Sequence, residues 1–163
     1  MLKKILLPLA TLLLCLGTIS ACTTKTFHAE TIVAAGPDAV WNVLTDTASY
    51  PEWNPVFVAV DGRYVEGTTV TNSVRFPGDQ IVAIDAVVEV VAPDRELRQS
   101  GGIPGFLTFR HQWLLEPTAE GTKVIQHEVD RGIYLWFWDS SWVEPAYQET
   151  LEALKARVAE IRG

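Results

Sequence analysis

Two ionisable side chains stand out for what they could do together, His111 and Glu128. Successive side chains of a strand point to opposite faces. In residues 106–116 this puts Phe109, His111, Trp113 and Leu115 on one face, and in the run that follows Val124, Gln126 and Glu128 share another. A hairpin centred on residues 118–120 sets Leu115 across from Val124, Trp113 across from Gln126 and His111 across from Glu128. Directly opposed residues hold their Cβ atoms about 4.5–5.5 Å apart. Aromatics dominate the shared face, which marks it as the side of a cavity. A histidine and a glutamate buried there shift each other's pKa and can serve as general acid and base. Equally, they can form a satisfied structural pair that closes a polar gap in the wall, and no nucleophile accompanies them. Glu128 needs a hydrogen-bonding partner, because an isolated buried carboxylate is costly. His111 is the nearest candidate; Gln126 and Tyr147 are possible seconds. The pair exists only if both side chains point inward, since a slip of one residue would turn either out to solvent.

Other chemistry-bearing residues form no comparable set. His28 falls on a near-terminal strand and His127 on an outer face. A zinc site needs three or four converging ligands, so no metal is expected. Gly101, Gly102 and Gly105 precede a strand instead of joining a strand to a helix, so they make no phosphate loop. No cofactor is expected either. Trp136, Phe137, Trp138 and Trp142 crowd into seven residues. They are either packing or an amphipathic lip, over a ligand mouth or against a bilayer. Trp41 reads as core and Trp53 as cavity rim.

These residues must be positioned by the elements around them. Residues 27–35 alternate as a strand with Phe27, Ala29, Thr31 and Val33 on one face. Pro37 and Asp38 start a short helix carrying Val40, Trp41 and Leu44, and a second short turn over residues 49–53 closes at Asn54-Pro55. Strands are expected over residues 56–65, 68–76, 81–91, 96–100, 106–116 and 122–134, with turns at the intervening glycines and prolines. On residues 81–91, Val82, Ile84, Ala86, Val88 and Val90 form the apolar face, while Asp85 and Glu89 face out. The last helix is expected to start near Ser141, with Ser141 and Glu144 as a capping box. Tyr147, Leu151, Leu154, Val158 and Ile161 make its apolar stripe. The two short helices are too small to stand alone and need something concave to plug.

The chain has 163 residues and a formal net charge of −7. Residues 1–22 read as a leader: Lys3 and Lys4 form a positive start, residues 5–16 an apolar run too short for a comfortable membrane span. Loss of the two lysines takes the net charge from −7 to −9. A body this acidic repels nucleic-acid backbones, and no nucleic-acid partner is expected. Cys15 lies inside the leader, so Cys22 has no disulfide partner in the body.

The leader ends in Ile19-Ser20-Ala21-Cys22, which resembles a bacterial lipobox. That resemblance implies cleavage before Cys22, lipid on it, and a protein held on the extracytoplasmic face of a bacterial envelope membrane; an ordinary secretory signal is the alternative. The body carries Asp46-Thr-Ala-Ser-Tyr50-Pro51-Glu-Trp53-Asn54-Pro55, then Gly102-Ile-Pro-Gly105, His111-Gln-Trp113-Leu-Leu-Glu116-Pro117, Gly121-Thr122, Gln126-His-Glu128, Gly132 and Ala153-Leu154-Lys155. On these residues and their order, residues 23–163 resemble a single domain of the START-like helix-grip superfamily (SRPBCC), which includes polyketide cyclases, dehydratases and lipid carriers. The implied fold is α+β: a curved antiparallel sheet of six or seven strands around a long C-terminal helix, with two short helices after the first strand. The implied function is binding of a small hydrophobic, lipid-like or polyketide-like molecule, as an envelope carrier or sensor. Trp53, Phe109, His111, Trp113, Gln126, Glu128, Trp138, Tyr147 and Leu151 are the expected ligand contacts. Two alternatives stay open: a cyclase or dehydratase using His111 and Glu128, and an interaction module using the tryptophan-rich lip.

Overall fold

A computed structural model describes residues 23–163. The leader and Cys22 lie outside the described residues, and so does the lipobox expectation. Seven antiparallel strands form one sheet in the order β1-β7-β6-β5-β4-β3-β2. They are β1 (Thr24–Val33), β2 (Phe57–Asp61), β3 (Thr69–Phe76), β4 (Gln80–Ala92), β5 (Glu96–Ile103), β6 (Leu107–Thr118) and β7 (Gly121–Arg131). Helices α1 (Pro37–Thr45) and α2 (Tyr50–Trp53) follow β1, and α3 (Val143–Arg162) ends the chain. The sheet curls around α3, and this is the helix-grip architecture the sequence implies.

Local chemistry sets the connections. Asn54 accepts from the backbone N–H groups of Val56 at 3.0 Å and Phe57 at 2.8 Å, an Asx turn that launches β2 straight out of α2. The Tyr50 hydroxyl donates to the Leu44 carbonyl at 2.8 Å, tying α2 back onto α1. The expected last strand stops early, at Arg131, because Gly132 takes φ of 145° and a Cβ there would meet the Phe106 carbonyl oxygen at 2.1 Å. Tyr134 therefore belongs to a 3-10 turn, Ile133–Trp136, and not to the strand.

The core gathers Phe27, Val40, Trp41, Leu44, Val88, Leu97, Trp113, Leu115, Leu151 and Leu154 beneath α1. Two expectations about faces need correction. A β-bulge between Val88 and Val90 shifts the register, so Val91, not Val90, packs against the core. The stripe of α3 ends at Val158, the last core residue of the helix, and Ile161 in its final turn is 61% exposed. The capping box also fails. The helix begins at Val143 with Trp142 as N-cap in helical geometry and no side-chain cap. Glu144 instead accepts from the backbone N–H of His28 across on β1, at 3.1 Å.

Leu154 is fully buried. Leu154→Ala should destabilise the fold by about 2–5 kcal/mol in chemical denaturation. Ile161→Ala on the same helix should change it by less than about 0.5 kcal/mol.

Candidate functional site

The β6–β7 hairpin has the register that alternation predicts. His111 lies opposite Glu128, Trp113 opposite Gln126 and Leu115 opposite Val124. The inner face divides into two parts along the strands. Toward the end closed by α1, Trp113, Leu115, Val124, Leu151 and Leu154 fill the space as core. Toward the other end the sheet and α3 diverge around a cavity of about 400 Å³. Phe57, Val74, Val82, Ile84 and Phe109 supply its apolar wall, and Tyr134, Trp138, Trp142 and Tyr147 its aromatic edge.

His111 and Glu128 both line this cavity. They do not, however, partner each other. The Gln126 amide donates to His111 Nε2 at 3.0 Å, which leaves the ring proton on Nδ1. The imidazole is boxed by the rings of Phe57, Trp113 and Tyr147, all within 5.7 Å centroid to centroid. Burial, with a smaller contribution from the charge of His127, pushes its pKa down to about 3, so it is a neutral and weak base. The expected acid–base pair is thereby lost: Gln126, one strand over, claims the histidine.

Glu128 finds a different neighbour. Asp130, two residues along β7, points into the same cavity and shares a side-chain hydrogen bond with Glu128, while the Tyr147 phenol donates to Glu128 from α3. Burial raises both carboxyls, Glu128 to about 8 and Asp130 to about 7. The proximity of Asp130 adds to the rise at Glu128, and Lys25 on β1 moderates that of Asp130. Two carboxyls this close hold one proton between them more readily than none. Asp130 was visible in the sequence, since the alternation that brings Glu128 inward brings residue 130 inward too. Asn72 and Gln99 were likewise missed; they flank Val74 and Leu97 by the same period, and Asn72 donates to Gln99 at 3.1 Å in the cavity wall.

Four expected contacts do not line the cavity. Trp113, Gln126 and Leu151 lie in the filled part of the inner face, and Gln126 serves to hold His111. Trp53 packs edge-on against Tyr50 at 5.1 Å on the α2 side, away from the rim. Phe109, His111, Glu128, Trp138 and Tyr147 do line it. The tryptophan-rich segment splits in two. Trp138 and Trp142 turn inward, and Phe27 and Phe76 pack against them, whereas Trp136 is 50% and Phe137 79% exposed. His28 and His127 stack edge-on outside the sheet, opposite each other in the β1–β7 ladder. Among the described residues no three His, Cys, Asp or Glu side chains converge as a metal site.

A curled sheet gripping a helix around a mostly apolar cavity defines a ligand-binding helix-grip protein. The chain matches the family described as polyketide cyclase/dehydrase and lipid transport over residues 24–159, and it belongs to that family. No curated protein matches it. Among solved structures, a protein from Thermus thermophilus superposes with a TM-score of 0.70 at 18% identity, covering 85% of this chain and 100% of that one. One from Nitrosomonas europaea gives 0.69 at 13%, covering 84% and 96%. One from Mesorhizobium loti gives 0.66 at 19%, covering 85% and 99%. At these identities the likeness is one of fold.

The two carboxyls make stability depend on pH. Their folded pKa values lie above the ordinary 4.5 and 3.8, so their contribution is complete in acid and is lost as pH rises through the folded values. His111 works in the opposite sense and only below its ordinary value of 6.5. Between pH 6.5 and 8.5 the carboxyls act alone, and urea denaturation should show stability falling across that window. In Glu128→Gln/Asp130→Asn the fall should disappear.

Proposed function

We propose that the protein is a binding protein for a small hydrophobic molecule, acting as a carrier or sensor at a bacterial envelope membrane. The observation that carries this reading is the cavity itself. About 400 Å³ of space lined mainly by apolar and aromatic side chains, with a few convergent polar groups, fits a buried small molecule. Family membership supports it. The geometry favours binding over catalysis by His111 and Glu128, because Gln126 holds the histidine's Nε2 and burial makes the ring a weak base.

The membrane part of the reading draws on the surface around the cavity. Ile103, Phe106, Tyr134, Trp136 and Phe137 are all exposed. The rings of Phe106 and Tyr134 pack in a tilted pair at 5.2 Å, and Tyr134 also lines the cavity, so this apolar surface borders its edge. Trp136 Nε1 donates to the Thr23 hydroxyl at 2.8 Å. Thr23 directly follows Cys22. A lipid on Cys22 would therefore hold these exposed aromatics against the bilayer, where aromatic side chains are favoured. A docking module for another protein would use the same surface.

Native mass spectrometry of protein extracted from membranes should show a bound small molecule. Val82→Trp, which fills the cavity from β4, should remove it while leaving the protein folded. Protein that carries no adduct, and whose tryptophan emission does not respond to any added apolar probe, would overturn the binding reading. Cys22→Ala should release the protein from membranes; retention there would refute the anchor.

A further inference from the structure

The polar end of the cavity has a feature that an apolar ligand alone does not explain. Glu128 and Asp130 project from one face of β7 into a space walled by valine, isoleucine and aromatic side chains. Asp130 is 2% exposed, and its Oδ1 has no hydrogen-bond partner. A buried acceptor left unpaired is costly, and more so if it is charged. Something that donates a hydrogen bond, and preferably carries positive charge, belongs beside it.

The protein does not supply that group. No lysine or arginine lines the cavity among the described residues. The groups facing the carboxyl pair are Tyr147 from α3, His111 and Phe109 from β6, and Phe27 and Lys25 from β1. Tyr147 donates to Glu128, and His111 is held by Gln126. The Lys25 ammonium is engaged by the Trp138 carbonyl at 3.1 Å and the Ser140 hydroxyl at 2.9 Å. Its charge reaches Asp130 through space. The cavity thus presents two acidic side chains and no engaged counter-ion.

We propose that the ligand is an amine: a molecule with an apolar body and one protonated nitrogen, the nitrogen seated between Glu128 and Asp130 and the body along Phe57, Val74, Val82 and Ile84. This deepens the binding reading above and rests on it. An ammonium satisfies Asp130 Oδ1 and compensates the pair's charge, and such charge-assisted hydrogen bonds are about twice as strong as neutral ones. A fatty acid or other carboxylate meets the reverse. It would bring a third acidic group into the same buried space, where like charges repel strongly.

Three ligands with the same chain and different heads separate the possibilities: decylamine, decanol and decanoate, titrated at pH 7 and followed by tryptophan emission. Trp138 and Trp142 in the cavity wall supply the signal. Decylamine should bind more than about tenfold tighter than decanol, a difference of about 1.4 kcal/mol, and decanoate weakest of all. In Glu128→Gln/Asp130→Asn the amine's advantage over the alcohol should vanish while decanol affinity is kept. Asp130→Asn alone should reduce it if the double variant does not fold. Equal binding of amine and alcohol, or tightest binding of decanoate, would overturn the amine proposal and leave the hydrophobic carrier standing. Failure of all three to bind would overturn both.

Discussion

The ladder between β6 and β7 is the constraint on which the rest of the molecule depends. Its register decides which side chains of two long strands face α3, and a shift of one residue would exchange every inner group for an outer one. With the observed pairing, the inner face runs from leucine and tryptophan at the hairpin end to histidine, glutamate and aspartate at the other. Core and cavity are therefore successive stretches of the same two strands. α1 and α3 cover the apolar stretch, and the polar stretch is left hollow.

Placing polar groups in that hollow creates obligations that the surroundings only partly meet. His111 is satisfied by Gln126 and kept neutral by its aromatic box. Asn72 and Gln99 satisfy each other. Glu128 leans on Tyr147, which is also a core residue of α3, so the helix that closes the fold also orients the acid. Asp130, beside Glu128, keeps one carboxylate oxygen, Oδ1, without a partner in the cavity wall, as Gln126 keeps its Oε1 in the filled part. The distribution of satisfied and unsatisfied groups, more than the apolar lining, is what distinguishes this cavity from a packing defect.

Much of this was legible beforehand. Period-two alternation and the turn at residues 118–120 were enough to pair His111 with Glu128 by position, because nothing irregular interrupts that hairpin. The tyrosine-proline-tryptophan-asparagine motif gave α2 and the launch of β2, since both depend on local bonds of Asn54 and Tyr50. What could not be read was anything set by a neighbour two strands away or by an irregularity. The bulge at Val88–Val90 leaves no mark in the amino-acid pattern. The choice of Gln126 over Glu128 as partner of His111 depends on side-chain rotation, which alternation does not specify. Asp130 is a different case: the alternation that turns Glu128 inward turns Asp130 inward as well, so the second acid is legible from the same pattern.

Tyr147 gives the cavity a bearing on the lifetime of the protein. Its ring belongs at once to the core and to the cavity wall, so an occupant of the cavity would pack against a residue that holds the helix to the sheet. An occupant that binds only the folded form adds stability by mass action, about 2.7 kcal/mol at a hundred times its dissociation constant. The filled and empty forms then differ in how often the helix and sheet come apart, and hence in how often unfolded chain is offered to proteases. Abundance of the protein would then follow supply of the occupant, because the occupant itself completes the interior.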